Sequence, residues 1–257
     1  MIEELIKKFT EIKDKGFLES IADYEYNERS DGAAGETLQH YFGIDSRDNR
    51  QEADWNGWEI KTKRNTSTSA TSLFTKKPSF PELGDRYMLE EWGIPDKMFP
   101  NKLKLNTTLY TTRFSEVHKM TSSVPTLKMK LINERNNEKV RLLVCDKDEN
   151  KINDLVYWSY KDINSGFKKL KNTILVDAIV KKINNKDHFH YKSATILLES
   201  NLDSFLKCLD EGIVRYDHRW SVDHRGKHKG HEHNHGNGFR FDKGGDLTKL
   251  ASRVIEI

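Results

Sequence analysis

The chain is poor in cysteine and proline, with two and five among 257 residues. Two thiols cannot build a disulfide framework or a cysteine-rich zinc centre, and Cys145 and Cys208 both sit in apolar runs. They read as buried thiols in a reducing compartment. Long apolar runs are also missing, since none approaches the roughly 20 residues needed to cross a bilayer. The opening stretch MIEELIKKFTEIKDKGF has helical spacing without the apolar core of a signal peptide. The expectation is a cytoplasmic protein with no membrane partner. Nor is there a dominant sign of charge: 43 Lys and Arg face 40 Asp and Glu, a net of +3. Such a total leaves nucleic-acid binding open, because segregation of charge onto one face decides it. No internal repeat or long low-complexity tract suggests a solenoid or a disordered tail.

What is present reads as a mixed chain, α/β of the α+β type. Ile2, Leu5, Ile6, Phe9 and Ile12 recur at helical spacing, predicting a first helix that ends near Gly16. After a turn at Asp31–Gly32, a second helix is expected over 35–42, closed by Gly43. A polar stretch at 45–52 precedes a short strand, Trp58-Glu59-Ile60-Lys61-Thr62. The Ser/Thr-rich tract 65–72 reads as a loop, and 80–100, with Pro81, Pro95 and Pro100, as irregular connection. Strands are expected over 103–114, 126–133, 139–145, 154–159 and 188–198, and helices over 164–180, 201–212 and beyond Asp246. The length suits one two-lobed unit over 1–257. In it about 1–125 carries the motif described next, and about 126–257 the rest of the core and the C-terminal elements.

The most informative stretch is Asp54-Trp-Asn-Gly-Trp-Glu59-Ile60-Lys61. Alternate residues of a strand share a face, so Glu59 and Lys61 project together. Asn56-Gly57 is a hairpin dipeptide that can fold Asp54 back beside Glu59. Two carboxylates and an ammonium are the groups phosphodiester hydrolysis needs. The acids hold a hard cation such as Mg²⁺ (Mn²⁺ as a substitute), with the Ile60 carbonyl as a further oxygen ligand, and the lysine orients or deprotonates water. The competing reading is a pair of solvated charges on an exposed strand, and spacing alone leaves both standing.

The tail is the second feature. Six of the ten histidines fall between His218 and His235, among arginines and glycines. This segment could be a solvated loop. It could be a zinc or nickel site, since His231, His233 and His235 share one side of an extended segment. It could also be a DNA-reading surface, in which Arg meets the O6/N7 edge of guanine and Asp accepts from cytosine N4. Gly236, Gly238, Gly244 and Gly245 would let backbone approach a groove closely. Lys63, Arg64, Lys76 and Lys77 would then grip phosphates.

Asp54…Glu59-Ile60-Lys61 resembles the PD-(D/E)xK nuclease motif, with Ala53 where that motif names proline. The wider chain resembles the MvaI/BcnI restriction endonucleases of the MutH-like branch. The resemblance rests on Gly32-Ala-Ala-Gly35-Glu36-Thr-Leu38-Gln39, Leu155-Val-Tyr-Trp158-Ser159, Tyr191–Leu198, and Phe239-Arg240-Phe241 with Leu247-Thr248-Lys249-Leu250. It implies a central mixed β-sheet flanked by helices, in two lobes around a DNA cleft. It also implies a Mg²⁺-dependent type II enzyme that cuts double-stranded DNA at a short G·C-flanked pseudopalindrome of the CCNGG type. The enzyme would act as a monomer on one strand at a time and be paired with a cognate DNA methyltransferase. By the same resemblance Asp217 takes a cytosine, Arg219 and Arg240 take guanines, and His233 and His235 contact base edges near the centre. The acidic residue such enzymes carry on the first helix near the metal falls on Gln39 here, with Glu36 one turn earlier as the stand-in. Their assisting mid-chain lysine has only Lys139 as a candidate. A strand-nicking repair nuclease of the MutH type is the alternative, and a non-catalytic DNA- or metal-binding module is the reading from a different class.

Overall fold

The computed structural model describes residues 1–21, 32–44, 52–67, 69–118, 125–226, 228–242 and 246–257. Asp31, most of the polar stretch 45–52, and Gly244 and Gly245 lie outside them. In chain order the described elements begin with α1 (Ile2–Lys13), β1 (Leu18–Glu19), α2 (Ala33–Phe42), β2 (Glu59–Arg64), β3 (Thr71–Thr75) and α3 (Gly84–Trp92). Then come β4 (Ile94–Pro95), β5 (Leu103–Leu109), β6 (Ser115–Val117), β7 (Leu127–Glu134), β8 (Lys139–Cys145), β9 (Lys151–Asn153), β10 (Tyr157–Ser159) and α4 (Tyr160–Phe167). The last are β11 (Thr173–Ile183), β12 (Lys186–Leu198), α5 (Leu202–Asp210), β13 (Val214–Val222), β14 (Glu232–Asn234), β15 (Gly238–Phe241) and β16 (Arg253–Glu256). The chain is therefore mixed α+β, as its pattern predicts. It forms two compact units: 1–69 with 168–201 and 247–257, and 70–167 with 202–246.

The first unit is built on a five-stranded sheet of order β1-β12-β11-β2, with β16 also paired to β12. Only β2 and β11 run parallel within it. Leu5, Phe9 and Ile12 of α1 fall at helical spacing and are all buried. They join Leu38 and Phe42 of α2, and Ile174, Val176, Phe189, Tyr191 and Ile196 of the central strands, in one core. The Tyr191 hydroxyl donates to the Ala34 carbonyl at 2.8 Å, tying β12 to the start of α2. With Ile60 of β2 buried in the same core, the opposite side of β2 is left for Glu59 and Lys61.

The helix expected over 164–180 is a correction. The helix stops at Phe167, a 3-10 turn follows at Lys168–Lys171, and Thr173–Ile183 is β11. Its start, Thr-Ile-Leu-Val, is β-branched and aliphatic, and β11 has neighbours on both edges. Such interior strands read as continuous apolar runs, which periodicity alone cannot separate from a helix. The tract 80–100, read as irregular, contains α3, and beyond Asp246 there is a 3-10 turn and then β16 rather than a helix.

The second unit carries two sheets. One has the order β3-β15-β13-β5-β4 with β14 on β13; the other has β10-β8-β7-β6 with β9 on β8. In β13 the residues alternate between faces. Val214, Tyr216 and His218 are buried, while Arg215, Asp217, Arg219 and Ser221 take the other face. Beneath the apolar face lies an aromatic cluster: Trp158–Tyr216 ring centroids are 4.4 Å apart, Tyr216–Phe239 5.2 Å, Phe205–Phe239 5.3 Å and Phe74–Phe239 5.4 Å. Gly238 lets β15 close on β3, since a Cβ there would meet the Phe74 carbonyl oxygen at 2.3 Å. Both cysteines are buried and neither forms a disulfide.

Candidate active site and nucleic-acid interface

The catalytic candidates of the first unit are set by a tight turn and a strand. Trp55 and Trp58 exchange both backbone hydrogen bonds, at 2.9 and 2.7 Å. Asn56 and Gly57 between them have φ of 44° and 82°. Two successive positive φ values are what a type I′ turn demands and what Asn-Gly supplies with least strain. The turn brings Asp54 back to β2, where its Oδ2 accepts the Ile60 N–H at 2.8 Å.

Glu59 is 1% exposed. Its Oε1 receives the Lys61 ammonium at 2.6 Å and the Lys169 ammonium at 3.1 Å. Its Oε2 is buried and has no hydrogen-bond partner among the described residues. Burial first, and then the negative charge of Glu59, push the Asp54 carboxyl above its ordinary value. The Ile60 N–H and the two lysines pull the other way. Lys169, on the 3-10 turn before β11, is the residue that sequence reading missed. Lys139, considered for that place, lies in the second unit, 3.5 Å from Glu134 and over the Tyr157 ring. No sequence motif marks Lys169, because the apolar run that follows it reads equally as helix or strand.

Glu36 stands half-buried in the first turn of α2, the helix that packs on β2. Among the described residues no group of three or more His, Cys, Asp and Glu side chains gathers in a way that could hold a metal. Glu36 and the tail imidazoles belong to no such group among the described residues. The donors present still suit a hard divalent cation. A buried carboxylate oxygen without a partner, beside a second carboxylate destabilised by burial and then by like charge, is a pair that a cation satisfies. Lys63 is exposed and Arg64 half-buried on the same strand.

The tail residues converge on the polar face of β13 in the second unit. Asp217 is 7% exposed. Its Oδ1 accepts the Thr108 hydroxyl at 2.9 Å and lies 3.3 Å from Arg215 Nε, while its Oδ2 lies 3.1 Å from Arg240 Nε. Neither Nε is aligned as a hydrogen bond, so these are charge contacts with room to re-aim. Arg240 also donates to the Gly236 carbonyl at 3.0 Å and to the Ser72 hydroxyl. Arg219 is exposed, its backbone N–H held by Asn237 Oδ1 at 2.6 Å. His233 and His235 stack edge to face at 4.5 Å, and His235 Nε2 lies 2.7 Å from the Ser221 hydroxyl. Burial, and then the neighbouring His233, push the His235 imidazole below its ordinary value. A pocket of about 480 Å³ opens here, lined by Asn106, Thr108, Asp217, Arg219, Ser221 and His235 among others. Lys76 is engaged by Asp162 at 3.3 Å and Ser165 at 3.0 Å.

The loop after β13 is pinned from behind. Asp96, 2% exposed, accepts the N–H groups of Met98 at 2.8 Å and Phe99 at 3.2 Å and lies 2.8 Å from His224 Nε2. Burial pushes this carboxyl up, but the Met98 N–H, the His224 imidazole and the Phe99 N–H outweigh it and hold it at about 2.

A family model, the MvaI/BcnI restriction endonuclease family, matches residues 6–247. Among solved structures the chain is similar to the restriction endonuclease MvaI in complex with its cognate DNA substrate. Identity is 25%, the TM-score is 0.83, and 99% of this chain and 97% of that one are covered. It is also similar to MvaI in the absence of DNA, at 25% identity and a TM-score of 0.57 over 98% and 95% of the two chains. No curated protein matches by sequence.

Proposed function

The chain belongs to the MvaI/BcnI restriction endonuclease family, and on that premise we propose a Mg²⁺-dependent type II enzyme that cuts double-stranded DNA at a short G·C-flanked pseudopalindrome of the CCNGG type. The observation that carries the reading is Glu59, with one carboxylate oxygen between two ammonium groups and the other buried without a partner. Asp54 and Glu59, with the Ile60 carbonyl, would hold the cation. When bound, that ion supplies charge neutralisation at the phosphate and an acidified water. Lys61, as an ammonium, would orient the attacking water and, with Lys169, stabilise the negative charge that builds on the phosphate oxygens. Glu36 or Gln39 of α2 supports the site from the neighbouring helix.

Arg219 and Arg240 take guanines, Asp217 a cytosine, and His233 and His235 base edges near the centre of the site. Lys63 and Arg64 grip the backbone and give binding its salt dependence. The enzyme acts as a monomer, cutting one strand and rebinding in the opposite orientation. Mn²⁺ substitutes for Mg²⁺, and a cognate DNA methyltransferase protects host sites. Incubating the protein with plasmid and Mg²⁺, without ATP, tests this. Discrete linear fragments support it. Nicked circles that persist favour a strand-nicking repair enzyme, and intact plasmid under every divalent metal overturns nuclease activity altogether.

A further inference from the structure

The pocket on the polar face of β13 is bounded on one side by β5, a strand to which no sequence motif draws attention. β5 runs antiparallel to β13 with Asn106 opposite Arg219 and Thr108 opposite Asp217. Cross-strand partners project from the same face. The Asn106 and Arg219 side chains therefore share one face, and Asn106 is exposed on the wall of the pocket that both line. Its situation differs from that of Asp217, Arg240 and Ser221. Asp217 and Arg240 are engaged by contacts inside the protein, and Ser221 is engaged by His235. Among the described residues the Asn106 carboxamide has no such engagement. Asparagine is also depleted in strand interiors, so one in the middle of a seven-residue strand is not there for the sheet's stability.

We propose that Asn106 is a specificity-determining residue that reads the amino-bearing edge of a base next to the pair taken by Arg219. This rests on the reading of the protein as a sequence-specific endonuclease. The carboxamide oxygen accepts from an exocyclic amino group, adenine N6 or cytosine N4, both of which face the major groove. With adenine the amide N–H also donates to N7, whereas with cytosine only the oxygen is used. Thr108, two residues along the same strand, fixes Asp217 by the hydrogen bond at 2.9 Å. The two side chains thus make β5 a second reading strand beside β13.

The test is selection of bound duplexes from a randomised library in Ca²⁺, using the full chain and its Arg219→Ala, Asn106→Ala and Asn106→Asp variants. Arg219→Ala marks the position where a guanine preference is lost. Asn106→Ala is expected to relax the preference at an adjacent position by about tenfold and leave the others intact. Asn106→Asp keeps the acceptor and loses the donor. It retains the preference if the base is cytosine and abandons adenine for cytosine if it is adenine. Asn106→Ser replaces the alanine variant if that one does not fold. Profiles that superimpose on the unaltered protein overturn the inference, as does a uniform loss of binding at all positions. An unaltered protein with no sequence preference overturns the endonuclease reading itself. A preference that survives the alanine change overturns only the role of Asn106.

Discussion

Replacing Lys169 by methionine separates a catalytic lysine from a mere counterion. Two ammonium groups sit 2.6 and 3.1 Å from one carboxylate oxygen of Glu59. At an effective dielectric of about 20, each attracts that carboxylate by roughly 5–6 kcal/mol before desolvation is charged against it. Removing the only partner of a buried ion typically costs about 3–5 kcal/mol. Here Lys61 remains on the same oxygen, so the loss of stability should be smaller, about 1–2 kcal/mol. The effect on chemistry should be larger. A donor that stabilises transition-state charge is worth about 10²–10³ in rate. Lys169→Met should therefore melt only slightly below the unaltered protein, yet cut a cognate duplex about 10²–10³-fold more slowly in a single turnover, with specific binding in Ca²⁺ unchanged. Lys169→Arg keeps the charge and should recover part of the rate. Cutting by the methionine variant at the normal rate would refute the assignment and leave Lys169 as a structural partner of Glu59.

Lys61→Ala or Asp54→Ala should abolish plasmid cutting while leaving specific binding in Ca²⁺ largely intact; a gel showing normal cutting would remove both from the active site. Gly57→Ala forces a Cβ onto a residue with φ of 82°. It should cost about 1–2 kcal/mol in a denaturant melt and slow cutting by misplacing Asp54. No change in either would mean that the turn does not position the acid. Arg240→Ala should lower specific affinity by about 1–3 kcal/mol if Arg240 pairs with guanine. It should also lower the melting temperature, because the guanidinium ties Asp217, Ser72 and Gly236 together. A variant that binds and melts normally would exclude both roles. Asp96 is held at about 2, below its ordinary 3.8. A depressed carboxyl contributes stability that is present above its unfolded value and lost as pH falls through the folded one. The stability gap between the unaltered protein and Asp96→Ala should thus be widest above about pH 4 and close toward pH 2. A gap that stays constant across that range would show that the carboxylate charge plays no part.

Local chemistry made one half of each site readable. Asn56-Gly57 demands a tight turn wherever it falls, and the alternation of Glu59 and Lys61 follows from strand geometry. Asp54, Glu59 and Lys61 could therefore be grouped from 54–61 alone. Lys169 could not, because it arrives from more than a hundred residues away, on a turn before a strand whose apolar run looks equally like a helix. Only the pairing of β2 with β11 reveals that the two segments are neighbours. The same limit applies on β13. Asp217, Arg219 and Arg240 could be named one by one from their side-chain chemistry, as if each faced a base independently. In the fold Asp217 is a buried carboxylate between two arginines and a threonine, and Arg240 is bound to it. A buried charge network of this kind is settled jointly. For Arg240 to meet a guanine, its contacts with Asp217, Ser72 and Gly236 must be kept in part or exchanged. The net gain from that base is then the difference between two occupied states, not the worth of a new hydrogen-bond pair. Asn106, which forfeits no such contact, would gain a base contact more nearly in full than Arg240.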